Sequence, residues 1–320
     1  MLALATLLDE RALICPRCGN PVVHTDESWR CSEVSCDYAT SGFPVVAGVP
    51  ALVDFGSSVL SAEALSATEA ASLMARPQRP GLVKRMLHPA NKQAPRLAAR
   101  MLDLLLADAD AVGRRPRILV IGGGTVGDGL EALYADERVD LIAFDVYVSS
   151  HVQLVGDGHQ IPLADGVVDG VIIQAVLEHV LEPVVVVDEI RRVLRTGGVV
   201  YADTPFMQQV HEGPYDFTRF TESGHRYLFR EFQQVESGQV AGAGTSLRWS
   251  VNYFVRALTR SVTLGRIAGL AFFWLSHVDR FLDPRHSLDG ANSVYFLGRK
   301  GGPVLTPAHA VERYQGGMSG

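Results

Sequence analysis

Five short apolar runs punctuate the middle of the chain: Arg117–Ile121, Leu141–Phe144, Val152–Val155, Gly170–Ile173 and Val199–Ala202. Each is too short for a helix, so each reads as a buried strand. Helical spacing fills the gaps. Leu97, Met101, Leu104 and Leu105 mark a helix over 96–108, and Leu130, Leu133 and Tyr134 another after the first strand. A third covers 182–195, and Thr221 is placed to cap a fourth over 222–232. Val184–Val187 favours strand locally and is read as helix because the alternation requires it. Strands alternating with helices predict an α/β fold with a mostly parallel sheet covered on both faces. Asn292–Gly298 reads as a late edge strand. A length of 320 residues gives a prior of about two domains, and 47% hydrophobic residues suffice for a full core.

All four cysteines lie near the N-terminus: Cys15 and Cys18 in a Cys-x2-Cys turn, then Cys31 and Cys36 after twelve intervening residues. This spacing predicts a tetrahedral four-thiolate site for Zn²⁺. The alternative is four structural or redox thiols. A closed four-sulfur site has no open coordination position, so the zinc is expected to be structural. The segment 13–54 resembles the small zinc-ribbon proteins that activate RNA and protein methyltransferases. Those too follow the cysteines with a tail of the kind set here by Pro44, Gly48 and Pro50.

In open α/β sheets ligands bind at the carboxyl ends of the strands. Those ends carry Gly122–Gly129, Asp145, Asp157 and Gly158, Gln174–His179 and Asp203–Pro205. Glycines let backbone approach a ligand and aim N–H groups at it, and an acid after the second strand can accept both ribose hydroxyls. Gly122-x-Gly124-x-x-Gly127 with Asp145 also matches the dinucleotide fingerprint, so these residues alone leave a nicotinamide cofactor open.

Four blocks together resemble class I S-adenosylmethionine-dependent methyltransferases of the type 11-like kind, and the segment Thr204–Thr221, through its Pro-Phe and His-x3-Tyr-Asp-Phe-x-Arg-Phe-Thr pattern, resembles a subgroup of them associated with glycan biosynthesis. The four blocks are Gly122-x-Gly124, Asp145, Asp157 through Asp165, and Asp169 through His179 with its Leu-Glu-His ending. The Glu189–Gly198 segment is similar as well. The resemblance spans about 115–205 and implies a Rossmann-like sheet and S-adenosyl-L-methionine as cofactor. It implies that Gly122, Gly123 and Gly124 line the methionine and ribose side, and that Asp145 holds the ribose. Asp157 and Gly158 would hold the adenine, with Gln174 near the sulfonium. One departure stands out: the family's usual acid on the first strand is Val120 here, and Asp128 is the candidate replacement.

A hydroxyl acceptor needs a base, and histidine suits neutral pH. His179 follows the fourth strand, where the transferred methyl is expected, and is read as a base or as a hydrogen-bonded structural histidine. The segment Thr204–Thr221 follows the fifth strand and is dense in aromatic and polar groups. His211 and Asp216 are the further catalytic candidates, and Tyr215 and Arg219 the substrate-binding ones. Rings that stack on sugars beside hydroxyl-binding polar groups suit a polyol. A structural Asp216–Arg219 pair is the competing reading.

The expected division is a zinc ribbon over 1–55, a linker with helical pieces over 56–95, and a cofactor-binding core over 96–240. A helical insertion or lid follows over 241–290, then the last strand and tail over 291–320. The linker holds a basic cluster, Lys84, Arg85, His88, Lys92 and Arg96. The stretch 247–282 mixes aromatic residues with arginines and reads as a lid, a homodimer face or a peripheral membrane contact. The longest apolar run, Ile267–Leu275, has nine residues, too few to span a bilayer. With no export signal at Met1–Leu8, the expected compartment is the cytoplasm.

The net charge of −6 weighs against a nucleic-acid partner. The expected function is therefore an O-methyltransferase acting on a sugar hydroxyl of a saccharide or glycoconjugate. The rivals are an RNA methyltransferase with the ribbon as clamp, and a non-catalytic methyltransferase-fold partner protein.

Overall fold

The N-terminal segment builds little secondary structure of its own and relies on packing. A computed structural model describes residues 1–25, 28–67 and 91–318, without the side chains of 66, 67 and 109–112. The helix Leu4–Asp9 leads into an antiparallel hairpin of β1 (Val22–Thr25) and β2 (Ser28–Cys31), with Val22 opposite Cys31. A one-turn helix, Asp37–Thr40, precedes a small hairpin of β3 (Val45–Val46) and β4 (Val49–Pro50). Its two connecting residues, Ala47 and Gly48, have φ of 48° and 80°. Positive φ at both is what a tight two-residue hairpin needs to match the strand twist.

This segment does not build a separate core. Leu7, Leu13, Trp29, Phe43 and Leu52 share one cluster with Leu119, Phe144, Leu163 and Ile190 of the sheet region. The Arg117 guanidinium grips Glu10 bidentately at 2.5 and 2.7 Å. Ala51 forms a parallel bridge to Val155, and the Leu52 amide donates to the Val155 carbonyl at 2.9 Å. The N-terminal tail thereby covers the open edge of the main sheet, an edge that would otherwise present unpaired backbone groups.

The main sheet contains β5 (Arg117–Ile121), β6 (Asp140–Asp145), β7 (Leu154–Val155), β8 (Val168–Gln174), β9 (Leu194–Pro205), β10 (Phe232–Ala241) and β11 (Ser293–Lys300). Its order is β10-β11-β9-β8-β5-β6-β7, with β5 to β9 parallel and the last two antiparallel. The expected α/β Rossmann-like architecture is present. The third strand is shorter than expected, and the fifth is longer. The Asn292–Gly298 segment is not an edge strand: β11 lies inside, paired on both sides. The true edge, β10, reads FQQVESGQVA, and its polar residues mask a strand whose periodicity is interrupted by two register shifts.

Alternate residues of the parallel strands feed opposite cores. Leu119 and Ile121 face one, and Ile118 the other. On the Ile118 side lies the helix Gln93–Val112, three residues longer than the expected one at its start and four at its end. It approaches so closely that a Cβ on Gly170 would sit 2.3 Å from Met101 Cε, so this strand position excludes any side chain. On the other side lies Pro183–Val193, helical despite its valines. Proline at the first turn is preorganised for helix, and Val186, Val187, Ile190 and Val193 bury one face while Val184 and Val185 stay outside. The glycine-loop helix is a single turn, Glu131–Tyr134, and the one capped by Thr221 ends early, at Leu228. Of the helical pieces expected in the linker, Ala62–Ala67 is present; residues 68–90, with Lys84, Arg85 and His88, lie outside the described residues. Arg96 is tied to Glu236 at 2.5 Å rather than standing in a basic patch.

Between β10 and β11 run the helices Ala243–Thr259, Val262–Ala271, Leu275–Val278 and Pro284–Leu288. Asp279 anchors them. Its carboxylate accepts the amides of Gly242, Gly244 and Thr245 at 3.1, 2.7 and 3.2 Å, and the Thr245 hydroxyl at 2.6 Å. These are helix N-terminal donors that have no partner within the helix. Asp279→Ala is expected to cost about 2 kcal/mol by stranding them. Limited proteolysis should then cut within 243–288 first, while sheet amides keep their hydrogen-exchange protection.

Candidate active site

Strand order reverses between β5 and β8, which makes their carboxyl ends the switch point where such sheets take ligands. Gly122 stands there with φ 75°, and a Cβ on it would lie 2.4 Å from Val176 Cγ2. The amides of Gly122 and Gly123 both donate to the Phe144 carbonyl, at 3.1 and 3.0 Å. That of Gly124 donates to Asp145 Oδ2 at 2.8 Å. The expectation that these N–H groups aim at a ligand is corrected: they tie the loop to β6. The glycines contribute by lacking side chains, since a Cβ on Gly124 would meet the Tyr147 ring at 2.4 Å.

Asp145 is buried at the end of β6 and also accepts the Val146 amide at 2.7 Å. A carboxylate has further lone pairs for ribose hydroxyls. Asp157 accepts the Ser58 hydroxyl, the His159 amide at 2.9 Å and sits 2.6 Å from His159 Nδ1. Burial would raise its carboxyl, but the hydrogen bonds from His159 and Ser58 prevail and hold it below the usual range. Gly158 is buried against Val186. Ser58, with Ser57 accepting from Gln160 at 2.8 Å, brings the N-terminal segment onto the Asp157 turn. The sequence carried no signal for that contact.

Gln174 ends β8. Its Nε2 donates to Asp203 Oδ2 at 3.1 Å, and its buried Oε1 has no hydrogen-bond partner among the described residues. Asp203, given no role of its own within the strand end 203–205, also accepts from Tyr201 at 2.8 Å. Burial pushes it up to about 6, against the hydrogen bonds from Tyr201 and Gln174. Asp128 is raised as well, by burial and by Glu131. Val120 is packed in the sheet. The carboxyls missing from the first strand are thus present nearby on Asp128 and Asp203. An orphaned acceptor among carboxyls fits a ligand with cationic N–H donors, and S-adenosylmethionine carries an ammonium and a sulfonium.

The 206–221 loop follows β9. Its Arg219 pairs bidentately with Asp216 and donates to the carbonyls of Gln208, Thr218 and Gln209. Asp216 also accepts the His211 amide at 2.8 Å. Burial opposes its ionisation, but Arg219 and that amide win and bring the carboxyl down to about 2. Asp216 and Arg219 therefore hold the loop together, the structural pairing expected as the competing reading, and both also line the cleft walled by this loop. Tyr215 exposes its ring, and its carbonyl accepts from His179 Nδ1 at 2.7 Å. That fixes the tautomer, leaving His179 Nε2 as a lone pair.

His179 and His211 meet edge to face, with ring centroids 5.0 Å apart. Burial lowers the basicity of both. Beside them is Glu178, passed over in the sequence although it stands in the Leu-Glu-His block. Its side chain is fully buried, neither carboxylate oxygen has a hydrogen-bond partner, and burial pushes it up to about 8. An open cleft of about 430 Å³ is walled by Gln208, Gln209, Val210, Asp216, Phe217, Thr218 and Arg219 of the loop and by Tyr253 of the helix Ala243–Thr259. The Tyr253 hydroxyl donates to the Val210 carbonyl, and Gln209 to Ser250 at 3.1 Å, so this helix forms the outer wall.

The four cysteines converge in the N-terminal segment, well apart in sequence from these strand ends. Cys15 and Cys36 sulfurs are 3.8 Å apart, Cys18 and Cys31 3.4 Å, and all four lie within 4.8 Å of one another. Four sulfurs about 2.3 Å from a tetrahedral ion would stand about 3.8 Å apart, so the set can hold a metal. The Asn20 side chain and the Glu33 amide donate to Cys18 and Cys31 sulfur at 3.6 and 3.4 Å.

Comparison with known proteins places these features. Residues 125–202 match the family described as a methyltransferase domain. Among curated proteins none matches the chain by sequence. Among solved structures, the [4+2]-cyclase SpnF is similar at 16% identity, with 68% of this chain and 83% of that one covered and a TM-score of 0.38. A Haloferax volcanii methyltransferase, solved with a methyltransferase activator, is similar at 17% identity, with 64% and 98% covered and a TM-score of 0.39. The 1,6-didemethyltoxoflavin-N1-methyltransferase of Burkholderia thailandensis, solved with S-adenosylhomocysteine, is similar at 14% identity, with 63% and 78% covered and a TM-score of 0.36. Residues 125–202 thus carry a methyltransferase domain, set on a Rossmann-like sheet, and that match supports S-adenosylmethionine-dependent methyl transfer as the activity.

Proposed function

We propose that the chain transfers the methyl group of S-adenosylmethionine to a sugar hydroxyl of a saccharide or glycoconjugate, and that Cys15, Cys18, Cys31 and Cys36 hold a structural zinc ion. The cofactor supplies an electrophilic methyl carbon on a sulfonium. Asp145 and Asp157 would hold its ribose and adenine, and Gln174 with Asp203 its cationic end. The observation that carries the acceptor reading is the cleft walled by polar and aromatic side chains of the 206–221 loop, the loop that also carries His211. Gln208, Gln209 and Thr218 offer hydrogen bonds to hydroxyls, and Phe217 and Tyr253 offer ring faces. The Nε2 lone pair of His179 is available to take the acceptor proton as oxygen attacks the methyl carbon.

Positioning accounts for much of such a displacement. Tyr253→Ala is therefore expected to raise acceptor KM about tenfold, roughly 1.4 kcal/mol, with S-adenosylhomocysteine affinity unchanged. Steady-state kinetics and calorimetry check the two halves. The function itself is tested by methyl transfer from labelled S-adenosylmethionine to a panel of saccharides, with RNA as a competing acceptor. Label on saccharide alone supports the reading, and label on RNA alone overturns it.

The insertion supports a further part of the reading. Phe254, Leu258, Ile267, Trp274 and Phe281 are exposed among Arg256, Arg260, Arg266 and Arg280, a composition suited to peripheral contact with a membrane carrying the glycoconjugate. Among the described residues no helix is long and apolar enough to cross a membrane.

A further inference from the structure

We propose that Glu178, His179 and His211 form a second metal site, for a divalent first-row transition ion bound by two imidazoles and one carboxylate. One donor atom from each lies within 4.8 Å of the others. Glu178 Oε1 is 3.5 Å from His179 Nε2 and 3.8 Å from His211 Nε2. These separations are too long for good hydrogen bonds. They are close to the edges, about 3.3 Å, of a tetrahedron whose centre lies about 2.0–2.1 Å from nitrogen and oxygen donors.

The carboxyl makes the case specific. Glu178 is fully buried and neither oxygen receives a hydrogen bond from a described residue. A buried polar group in that condition is costly, and a cation between the three donors satisfies all of them at once. The imidazoles are also backed from behind, as metal-bound histidines are. Nδ1 of His179 donates to the Tyr215 carbonyl at 2.7 Å, and Nδ1 of His211 lies 3.3 Å from both Asp216 Oδ2 and the Gln208 side-chain nitrogen. Arg219 in turn fixes Asp216. The buried pair of the 206–221 loop thereby acquires a purpose: it turns two rings toward one point.

Two imidazole donors favour zinc, iron, manganese or cobalt over magnesium or calcium. Three protein ligands leave at least one position open, unlike the four-cysteine set. The site lies next to the glycine loop, since Val176, two residues before Glu178, packs on Gly122. An ion here would take up the His179 Nε2 lone pair, so with metal bound the acceptor proton would pass to a base other than His179; the metal site itself does not rest on the sugar-hydroxyl reading above.

The test is anaerobic titration of the full chain, its thiolate site already filled with zinc, with Co²⁺ alone. One further equivalent is expected, with visible ligand-field bands and no thiolate-to-cobalt charge-transfer band. Its affinity should fall at least about 100-fold in Glu178→Gln and in His211→Ala, and stay unchanged in Tyr215→Phe, which keeps the carbonyl. S-adenosylhomocysteine binding, measured on the same samples, reports folding and the cofactor site separately. Homocysteine-ligand binding without additional cobalt, cobalt of thiolate type only, or an additional equivalent that survives both substitutions would each overturn the metal site. Additional cobalt lost in both variants, without binding of S-adenosylhomocysteine, would support it while overturning the cofactor reading.

Discussion

Replacing Cys15 and Cys31 together by serine abolishes zinc in the N-terminal site and lowers stability by more than about 5 kcal/mol, a loss of roughly 10–20 °C in melting temperature. The size follows from how the segment is held. Its secondary structure is two short hairpins and single helical turns, and structural zinc contributes folding free energy outright. Cys15, Cys31 and Cys36 are buried in the same cluster as Leu119 and Phe144, so the loss propagates into the sheet instead of stopping at a domain boundary. The 51–58 tail also covers the β7 edge and hydrogen-bonds Asp157 through Ser58. A secondary weakening of S-adenosylhomocysteine binding is therefore expected. Metal analysis, thermal unfolding and calorimetry read the three effects. A wild-type chain without zinc, and a double variant with an unchanged melting temperature, would reduce the cysteines to plain thiols.

Asp145→Ala is expected to weaken S-adenosylhomocysteine binding by at least about 100-fold, or about 2.7 kcal/mol. The side chain does two things. It offers the carboxylate proposed to accept the ribose hydroxyls, where hydrogen bonds to a charged group contribute about 1.5–3 kcal/mol each. It also accepts the Gly124 and Val146 amides at 2.8 and 2.7 Å, and so shapes the loop against which the ligand would lie. Alanine removes the acceptor and frees both donors. Asparagine keeps one carbonyl oxygen and should fall between the two, with a loss of about tenfold. Calorimetry on folded protein decides the matter: unchanged affinity in Asp145→Ala would move the ribose elsewhere.

The strand ends show how differently two acids can be read. Asp145 was legible because it closes an apolar run and stands a fixed distance after a glycine turn, and both are local properties. Asp203 also closes an apolar run, yet its weight comes from Gln174 on the neighbouring strand and from burial that raises its carboxyl. Neither fact has a trace in spacing. The loop pair is similar. Asp216 and Arg219 were visible as polar residues three apart, but the carbonyls of Gln208 and Gln209 that absorb the guanidinium became neighbours only when the loop closed. β11 looked like an edge because it is short and late, and β10 was overlooked because its polar face hides the period-two signal.

The amino-acid sequence by itself determined the alternation of strands and helices, the glycine turn after β5, the acid ending β6 and the four-cysteine set. Each is encoded in periodicity or in spacing along the chain, and short-range sterics and coordination geometry read it directly. Tertiary structure alone decided that the N-terminal segment shares the core of the sheet, that the glycine amides are spent on β6, and that Glu178 is stripped of water between two histidines. Those outcomes depend on desolvation and on contacts between residues tens of positions apart, and such contacts acquire energies only once the core has packed.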